Sequence, residues 1–561
     1  MQTFFSRPAV PFNASCAGRP ALRWMCLLLL GFWVSGCASL PSEVDRPVSS
    51  ALTNPETTRI GRAVAARAAL AGTRNDSGFA LVGNAELAFT SRMTLIKAAQ
   101  KSLDIQYYAI LADDTTERMA DALREAAGRG VRVRILLDDF NTSGKNAQIL
   151  KLAFEHNIEM RLFNPLPGGR GSLVFRIVSN LKDVDRMQRR MHNKIFVADN
   201  AVAIVGGRNL GETYFGQSEG TNFIDIDVLA SGRIARDLSR SFDQYWNNPL
   251  AYPVQSLMTV KEIEAIKPAP SAAPNAGVPA TPTPASAPNK TLNERTTTSP
   301  SGTTTVIPAL PDATDLSLLR WTWAPSVMLV DKPSKIAADA DAVEESQDTT
   351  VDGLLQLISQ AKSDVLIVSP YFVPGEKMMQ QFAALRQRGV RVRVLTNSLA
   401  SNDAPAAHVG YARYREALLA QGIELYEMRA EQQGTISSFG AAGGSTGGST
   451  GGSHASLHAK VVVIDSRLLV VGSMNLDLRS QLQNSEVAIV IRNRALSAEA
   501  TRMIEPALAG GAYRVERVNG ALVWRAPKGS GLPDSATEPD ASMGLRLMIK
   551  LIGPFAPDEM L

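Results

Sequence analysis

Two stretches of the 561-residue chain carry the same reactive residues at the same spacing. His192-Asn193-Lys194 is followed by Asp199 and, after a short apolar run, by Gly206-Gly207-Arg208-Asn209. His458-Ala459-Lys460 is followed by Asp465 and then by Gly472-Ser473-Met474-Asn475. Both read His-x-Lys-x-x-x-x-Asp, with an asparagine 17 positions after the histidine. A lone His-x-Lys is usually a solvated surface pair. Here two of only five histidines open the pattern, and coincidence is a poor account of that. On a strand, residues two apart share a face, so each motif offers an imidazole and an ammonium together. An imidazole serves as nucleophile or proton carrier, and an ammonium neutralises an anion. The same ammonium sits where a metal would have to, and no acid-rich cluster adjoins, so neither a metal nor another cofactor is expected.

The surrounding elements repeat as well. Arg129-Gly130-Val131-Arg132-Val133-Arg134-Ile135-Leu136 recurs as Arg388-Gly389-Val390-Arg391-Val392-Arg393-Val394-Leu395. Each copy follows a helix-like segment (116–128 and 376–387), and each of those follows an apolar run with strand character (103–110 and 365–371). Another helix and a strand (158–163 and 423–428) come after each octet. Alternating strands and helices predict an α/β protein of two tandem, pseudo-twofold-related domains, each a mostly parallel sheet flanked by helices.

These features resemble the paired HKD signatures of the phospholipase D superfamily, over a duplication running from about Ala80 to Val523. Ser369-Pro370-Tyr371-Phe372-Val373-Pro374, Thr396-Asn397-Ser398-Leu399-Ala400 and Tyr245-Trp246-Asn247 are similar to bacterial cardiolipin synthases of the branch without N-terminal membrane spans. The resemblance implies one shared active site that proceeds through a phosphohistidine. A phosphodiester resists attack, so Lys194 and Lys460 would neutralise its oxygens while Asn209, Asn475 and Ser473 donate hydrogen bonds. It also implies His192 as nucleophile and His458 as general acid and base. Asp199 and Asp465 belong to the motifs, although seven residues from their histidines they read as fixing a loop rather than touching substrate. Carboxylates later in each half are expected to hold the rings. These are Glu486, 28 residues after His458, and Asp225, with Asp227 as the competing choice. His156 reads as a surface residue and His454 as inert. His408, near Tyr411 and Arg413, either lines an acceptor pocket or caps a helix.

The implied reaction is phosphatidyl transfer, foremost cardiolipin synthesis with phosphatidylglycerol as acceptor and phosphatidylethanolamine as a second candidate donor. Hydrolysis by the same intermediate, as a phospholipase D or phosphodiesterase, is the alternative. A non-enzymatic lipid-binding lipoprotein conflicts with the intact His, Lys and Asn of both halves.

The N-terminus reads as a targeting signal. Arg19 and Arg23 precede an apolar core from Leu27 to Val34, too short to span a bilayer comfortably. Val34-Ser35-Gly36-Cys37 resembles a bacterial lipobox, which implies cleavage after residue 36 and lipidation of Cys37. The other cysteines are Cys16 and Cys26, so the mature body has neither a disulfide nor a thiol nucleophile. The first 36 residues hold three arginines and no acid, so their removal takes the net charge from +4 to +1. A near-neutral chain lacks the basic footprint of a nucleic-acid partner. A lipid-anchored enzyme on the periplasmic face follows, at either the inner or the outer membrane.

The expected organisation is a signal at 1–36, a mobile polar tether at 37–60, a first domain at 61–266 and a second at 315–526. Between them, 267–314 is rich in Pro, Ala and Thr and is expected to be unfolded. A Gly/Ser/Thr tract at 441–453 precedes the second motif. Residues 527–561 comprise a polar spacer and an apolar stripe (Leu545, Leu547, Met548, Leu551, Ile552). That stripe is either a helix packed on the body or one lying in a membrane interface.

Overall fold

The computed structural model describes residues 39–265 except 74 and 219, 295–298, 304–307, 320–432 except 339–341 and 344–347, and 453–552. The expected signal, Cys37, most of 267–314 and the Gly/Ser tract up to residue 452 lie outside the described residues. Residues from Pro41 onward form one compact unit.

Two nine-stranded mixed sheets carry the duplication. The first runs Thr322–Ala324, Ser77–Val82, Asp227–Ser231, Val202–Gly206, Ile195–Ala198, Ser102–Tyr107, Arg132–Asp138, Ile158–Phe163, Ala251–Pro253. The second runs Ser326–Val330, Val487–Arg492, Leu468–Gly472, Val461–Ile464, Asp364–Val368, Arg391–Asn397, Glu424–Met428, Ala512–Val518, Ala521–Arg525. The α/β class and the tandem duplication hold. The expected mostly parallel order is confined to three strands per sheet: Ser102–Tyr107, Arg132–Asp138 and Ile158–Phe163, and their counterparts. The strands after each His-x-Lys turn straight back as hairpins and therefore pair antiparallel. The domain boundary also differs, since Thr322–Ala324 is an edge strand of the first sheet while Ser326–Val330 opens the second.

Alternation along the motif strands separates two cores. Phe196 and Ala198 join the core under helices Ala85–Ala98 and Asp114–Gly128. Ile195 and Val197 point the other way, into a second core that also contains Val461, Val463, Leu469 and Val471 of the other half. The halves therefore share an apolar interior, and their motif strands face each other across it. Helices Gly375–Gln387 and Pro405–Ala420 bury the outer face of the second sheet.

Three expectations about loops change. The tether is strapped down: Arg161 donates to Pro47 O at 2.6 Å, Arg134 to Ser49 O at 3.0 Å, and Ala51 N to Asp243 Oδ2 at 2.8 Å. Helix Arg59–Leu70 follows it. The segment 267–314, expected to be unfolded, includes an antiparallel pair, Arg295–Thr298 with Thr304–Ile307. The polar spacer at 527–542 is docked. Ser535 bridges to Trp524, and Glu538 takes a hydrogen bond from Arg415 at 2.8 Å and sits 3.4 Å from His408. His408 is thus neither pocket lining nor cap; it is buried with its edge on Tyr411. Helix Met543–Ile552 lies against Pro405–Ala420. It turns Leu545 and Ile549 partly inward and leaves Leu547 and Leu551 exposed.

Candidate active site

Both motifs begin at a seam where the halves meet. Strand Ser453–Leu457 pairs in parallel with Thr221–Ile224, and the N–H of His458 donates to Ile224 O at 2.8 Å. At the pseudo-equivalent place Met191 bridges to Ser485, and the N–H of His192 donates to Ser485 O at 2.9 Å. The residue after each of these partners is a carboxylate, Asp225 or Glu486, so backbone pairing delivers each acid to the other half's histidine. His192 Nδ1 lies 2.9 Å and 3.0 Å from the Glu486 oxygens, and His458 Nδ1 lies 2.8 Å from Asp225 Oδ2. The expected carboxylates meet imidazoles, but across the halves. Asp227 is engaged elsewhere, 2.9 Å from Arg92 and 3.4 Å from Arg208.

With Nδ1 of each ring on its carboxylate, Nε2 is the nitrogen turned away from that acid. Lys194 Nζ donates to His192 O at 2.7 Å and Lys460 Nζ to His458 O at 2.6 Å, fixing each ammonium beside its own imidazole. Aromatic edges complete the walls. Tyr108 meets His192 at 5.1 Å between centroids, and Tyr214 and Phe223 meet His458 at 5.3 and 5.0 Å. No pattern along the chain singles out these three rings, since single aromatic residues in or beside short elements are ordinary core material.

The motif aspartates and Ser473 are each engaged with protein groups. Asp199 and Asp465 stand just past the far end of the four-residue motif strands, which run roughly 13 Å at about 3.3 Å per residue. Asp199 accepts from the N–H groups of Gln100, Lys101 and Ser102 at 2.8–3.2 Å, and Asp465 from those of Lys362, Ser363 and Asp364 at 2.8–3.2 Å. Both have positive φ (52° and 53°), as do Asn200 and Ser466 after them, so each hairpin turns through two left-handed residues. The motif aspartates lock strands in place and do not touch the reacting centre. Ser473, expected among the donors to the phosphate, is a correction. Its hydroxyl donates to Glu486 Oε2 at 2.5 Å and accepts from Val487 N at 3.0 Å, which leaves it holding the carboxylate rather than substrate. Gly207 occupies the matching place in the first half, where a Cβ would stand 2.5 Å from Asp225 Oδ2. Only glycine lets that acid close on His458.

Asn209 donates to Tyr214 Oη at 3.0 Å, and Asn475 is buried with no hydrogen bond to its Oδ1. Burial first, and then the lysine charges, push both imidazoles well below their ordinary value. Each lysine acts on both rings, as groups of a single site do. Burial lowers Lys194 well below the usual range and Lys460 to about 8, while it raises Glu486 to about 7 and Asp225 in the same direction. No cluster of three or more His, Cys, Asp or Glu suited to a metal ion occurs among the described residues.

Two imidazoles, each held by a carboxylate and flanked by an ammonium, on a duplicated mixed-sheet scaffold define an enzyme of the phospholipase D superfamily. The chain belongs to the family described as "Cardiolipin synthase, PLD-like domain", which it matches over residues 93–246 and 354–507. It is a phosphatidyltransferase of this cardiolipin-synthase-like kind. Cardiolipin synthase C of Escherichia coli K12 is 37% identical over 414 residues, covering 73% of this chain and 80% of that protein. An uncharacterized protein of Helicobacter pylori 26695 is 31% identical over 527 residues, covering 92% and 96%. The crystal structure of phosphatidylserine synthase from Haemophilus influenzae Rd KW20 shares the fold, with a TM-score of 0.51 at 14% identity, covering 88% of this chain and 99% of that one.

Proposed function

We propose that the enzyme makes cardiolipin by moving a phosphatidyl group onto the glycerol hydroxyl of phosphatidylglycerol, through a phosphohistidine on His192. The observation that carries this reading is the crossed pairing of His192 with Glu486 and His458 with Asp225. It fixes both rings with Nε2 available, which two-step in-line transfer requires. Phosphatidylglycerol or phosphatidylethanolamine would serve as donor. His192 Nε2 bonds to phosphorus as the bond to the head-group oxygen breaks, and His458 gives that oxygen its proton. His458, now neutral, takes the proton of the incoming hydroxyl as the new P–O bond forms and the P–N bond breaks. Near pH 7 the lowered imidazoles are neutral, which suits the attacking ring. The negative charge of a bound phosphodiester opposes that of the lysines and raises His458 toward the protonated form that its first role needs. Lys194, Lys460, Asn209 and Asn475 hold the phosphate oxygens.

The test is incubation of the purified protein with phosphatidylglycerol vesicles, followed by separation of the lipids. Cardiolipin plus glycerol is expected; phosphatidic acid as the sole product would replace transfer by hydrolysis. Product formation should persist in EDTA, because the lysines carry the positive charge. Complete loss, restored by a divalent ion, would overturn that assignment.

The lipobox-like Val34-Ser35-Gly36-Cys37 supports a lipid-anchored enzyme on the periplasmic face. Ala38 and Ser39 permit the outer membrane, whereas cardiolipin synthesis favours the inner one. A Cys37→Ser protein should leave the membrane on carbonate washing. Retention with an uncleaved N-terminus would replace the lipid anchor by a peptide one.

A further inference from the structure

Just before the first motif, the chain forms a short helical hairpin, Leu173–Ser179 and Val184–Gln188, and the polarity of its first helix is inverted. Arg176 of that helix, and Arg170 just ahead of it, point inward. Arg170 and Arg176, both buried, pair with the buried Asp139, and Arg176 also donates to Asp139 O at 3.1 Å. The hairpin's apolar side chains point outward: Val174 is 71% exposed, Phe175 62%, Val178 53%, Leu181 58% and Val184 39%. A helix in water ordinarily does the reverse. A contiguous apolar patch of this kind marks a surface that meets something apolar.

The hairpin is also fastened to the reaction site. Gln188 meets Gln483 of the other half at 3.1 Å, and Arg190 O accepts from the N–H of Ser485 at 3.0 Å, one residue from Glu486 and two from His192. In the same stretch Arg186 pairs with Asp183 at 3.0 Å, and Lys182 and Asp185 are exposed.

We propose that this hairpin is the surface on which the enzyme docks to the phospholipid bilayer, with Phe175 and its neighbours entering the acyl region beside His192. The proposal rests on the phosphatidyl-transfer reading, since a phosphatidyl group brings two acyl chains to a phosphorus that must reach a nearly buried imidazole. A patch of exposed side chains on the hairpin that leads into that imidazole's strand lets the head group enter while the chains stay in lipid.

The test uses the full chain and two measurements. A Val174→Ser, Phe175→Ser, Val178→Ser, Leu181→Ser protein should lose at least tenfold in turnover on phosphatidylglycerol vesicles. On dihexanoyl phosphatidylglycerol kept monomeric in solution it should match the unaltered chain. Equal losses on both substrates, or none on vesicles, would overturn the proposal. Separately, the Phe175→Trp protein should be quenched by acyl-brominated phosphatidylglycerol vesicles beyond the quenching of the unaltered chain. Quenching no greater than that, or indole emission from the Phe175→Trp protein that changes only with protein concentration, would assign the patch to a second copy or another protein and overturn bilayer docking. Because quenching needs no turnover, it separates failure of this surface from failure of the transfer reading.

Discussion

Glu486 holds His192 while accepting from two hydroxyls, Ser473 at 2.5 Å and Ser480 at 3.0 Å. Asp225 holds His458 with one backbone N–H, that of Ile226 at 2.8 Å, and packs on Gly207. Nearly identical motifs are thus given different surroundings, as two rings with different tasks require. Replacing either histidine by Ala removes a group that the proposed mechanism places on the reacting atoms, so turnover should fall by at least about 10²-fold while the fold persists. Circular dichroism and product assays on both variants check this. Lys460, lowered to about 8, keeps its charge below that pH and loses it above. Activity should therefore decline as pH rises through about 8, and Lys460→Arg, whose guanidinium stays charged, should shift that decline upward. A pH profile of kcat/KM reads both. The motif residues were legible from spacing alone. The role of Ser473 was not, because its counterpart is Gly207 and the repeat therefore offered no matching hydroxyl. Nor could spacing along the chain reveal that each acid crosses to the other half's ring.

Helices and hairpins carry the next level of the account. The two Asp-led turns explain why an aspartate seven residues from each histidine recurs without reaching the site: it accepts left-handed φ and caps the backbone of neighbouring strands. Asp199→Ala leaves three N–H groups without their acceptor and should cost about 1–3 kcal/mol of stability. Its turnover per folded molecule should change less than that of His192→Ala; paired denaturation and activity measurements decide. The C-terminal segment hangs on Glu538, which burial would raise but the contacts with His408 and Arg415 lower to about 2. A depressed carboxyl contributes stability that is present above its ordinary value, near 4.5, and is lost as pH falls toward about 2. Glu538→Gln should release residues 527–552 to limited proteolysis at neutral pH, with intact protection in the variant counting against this anchoring role. The octet repeat and the helices beside it were legible because hydrophobic period and duplication agree. The docked spacer and the strapped tether were not. Their anchors, Arg415, Arg134 and Arg161, lie 123, 85 and 114 residues away, and polar composition alone reads as loop.

Across the whole molecule, neither half owns a complete acid–base pair. The shared core of Val461, Val463, Ile195 and Val197 holds the halves in register, and the seam strands trade Asp225 for Glu486. Fold class and duplication were legible in the sequence; the predominance of antiparallel pairs was not, since a short hairpin and a helical crossover leave similar apolar runs. In the proposed mechanism His192 carries the intermediate while His458 serves both steps. Disabling the pair formed by His458 and Asp225 should slow formation of the intermediate and block its release, while Glu486→Gln should slow its formation. A direct measurement follows from those roles. The His458→Ala protein is mixed with phosphatidylglycerol labelled at phosphorus, quenched in alkali to preserve phosphoramidates, and digested for peptide mapping. The account predicts label on the peptide containing His192, accumulating slowly and not discharged by added acceptor lipid. Label on no histidine in His458→Ala, together with label on the His458 peptide of the unaltered chain during turnover, would contradict it.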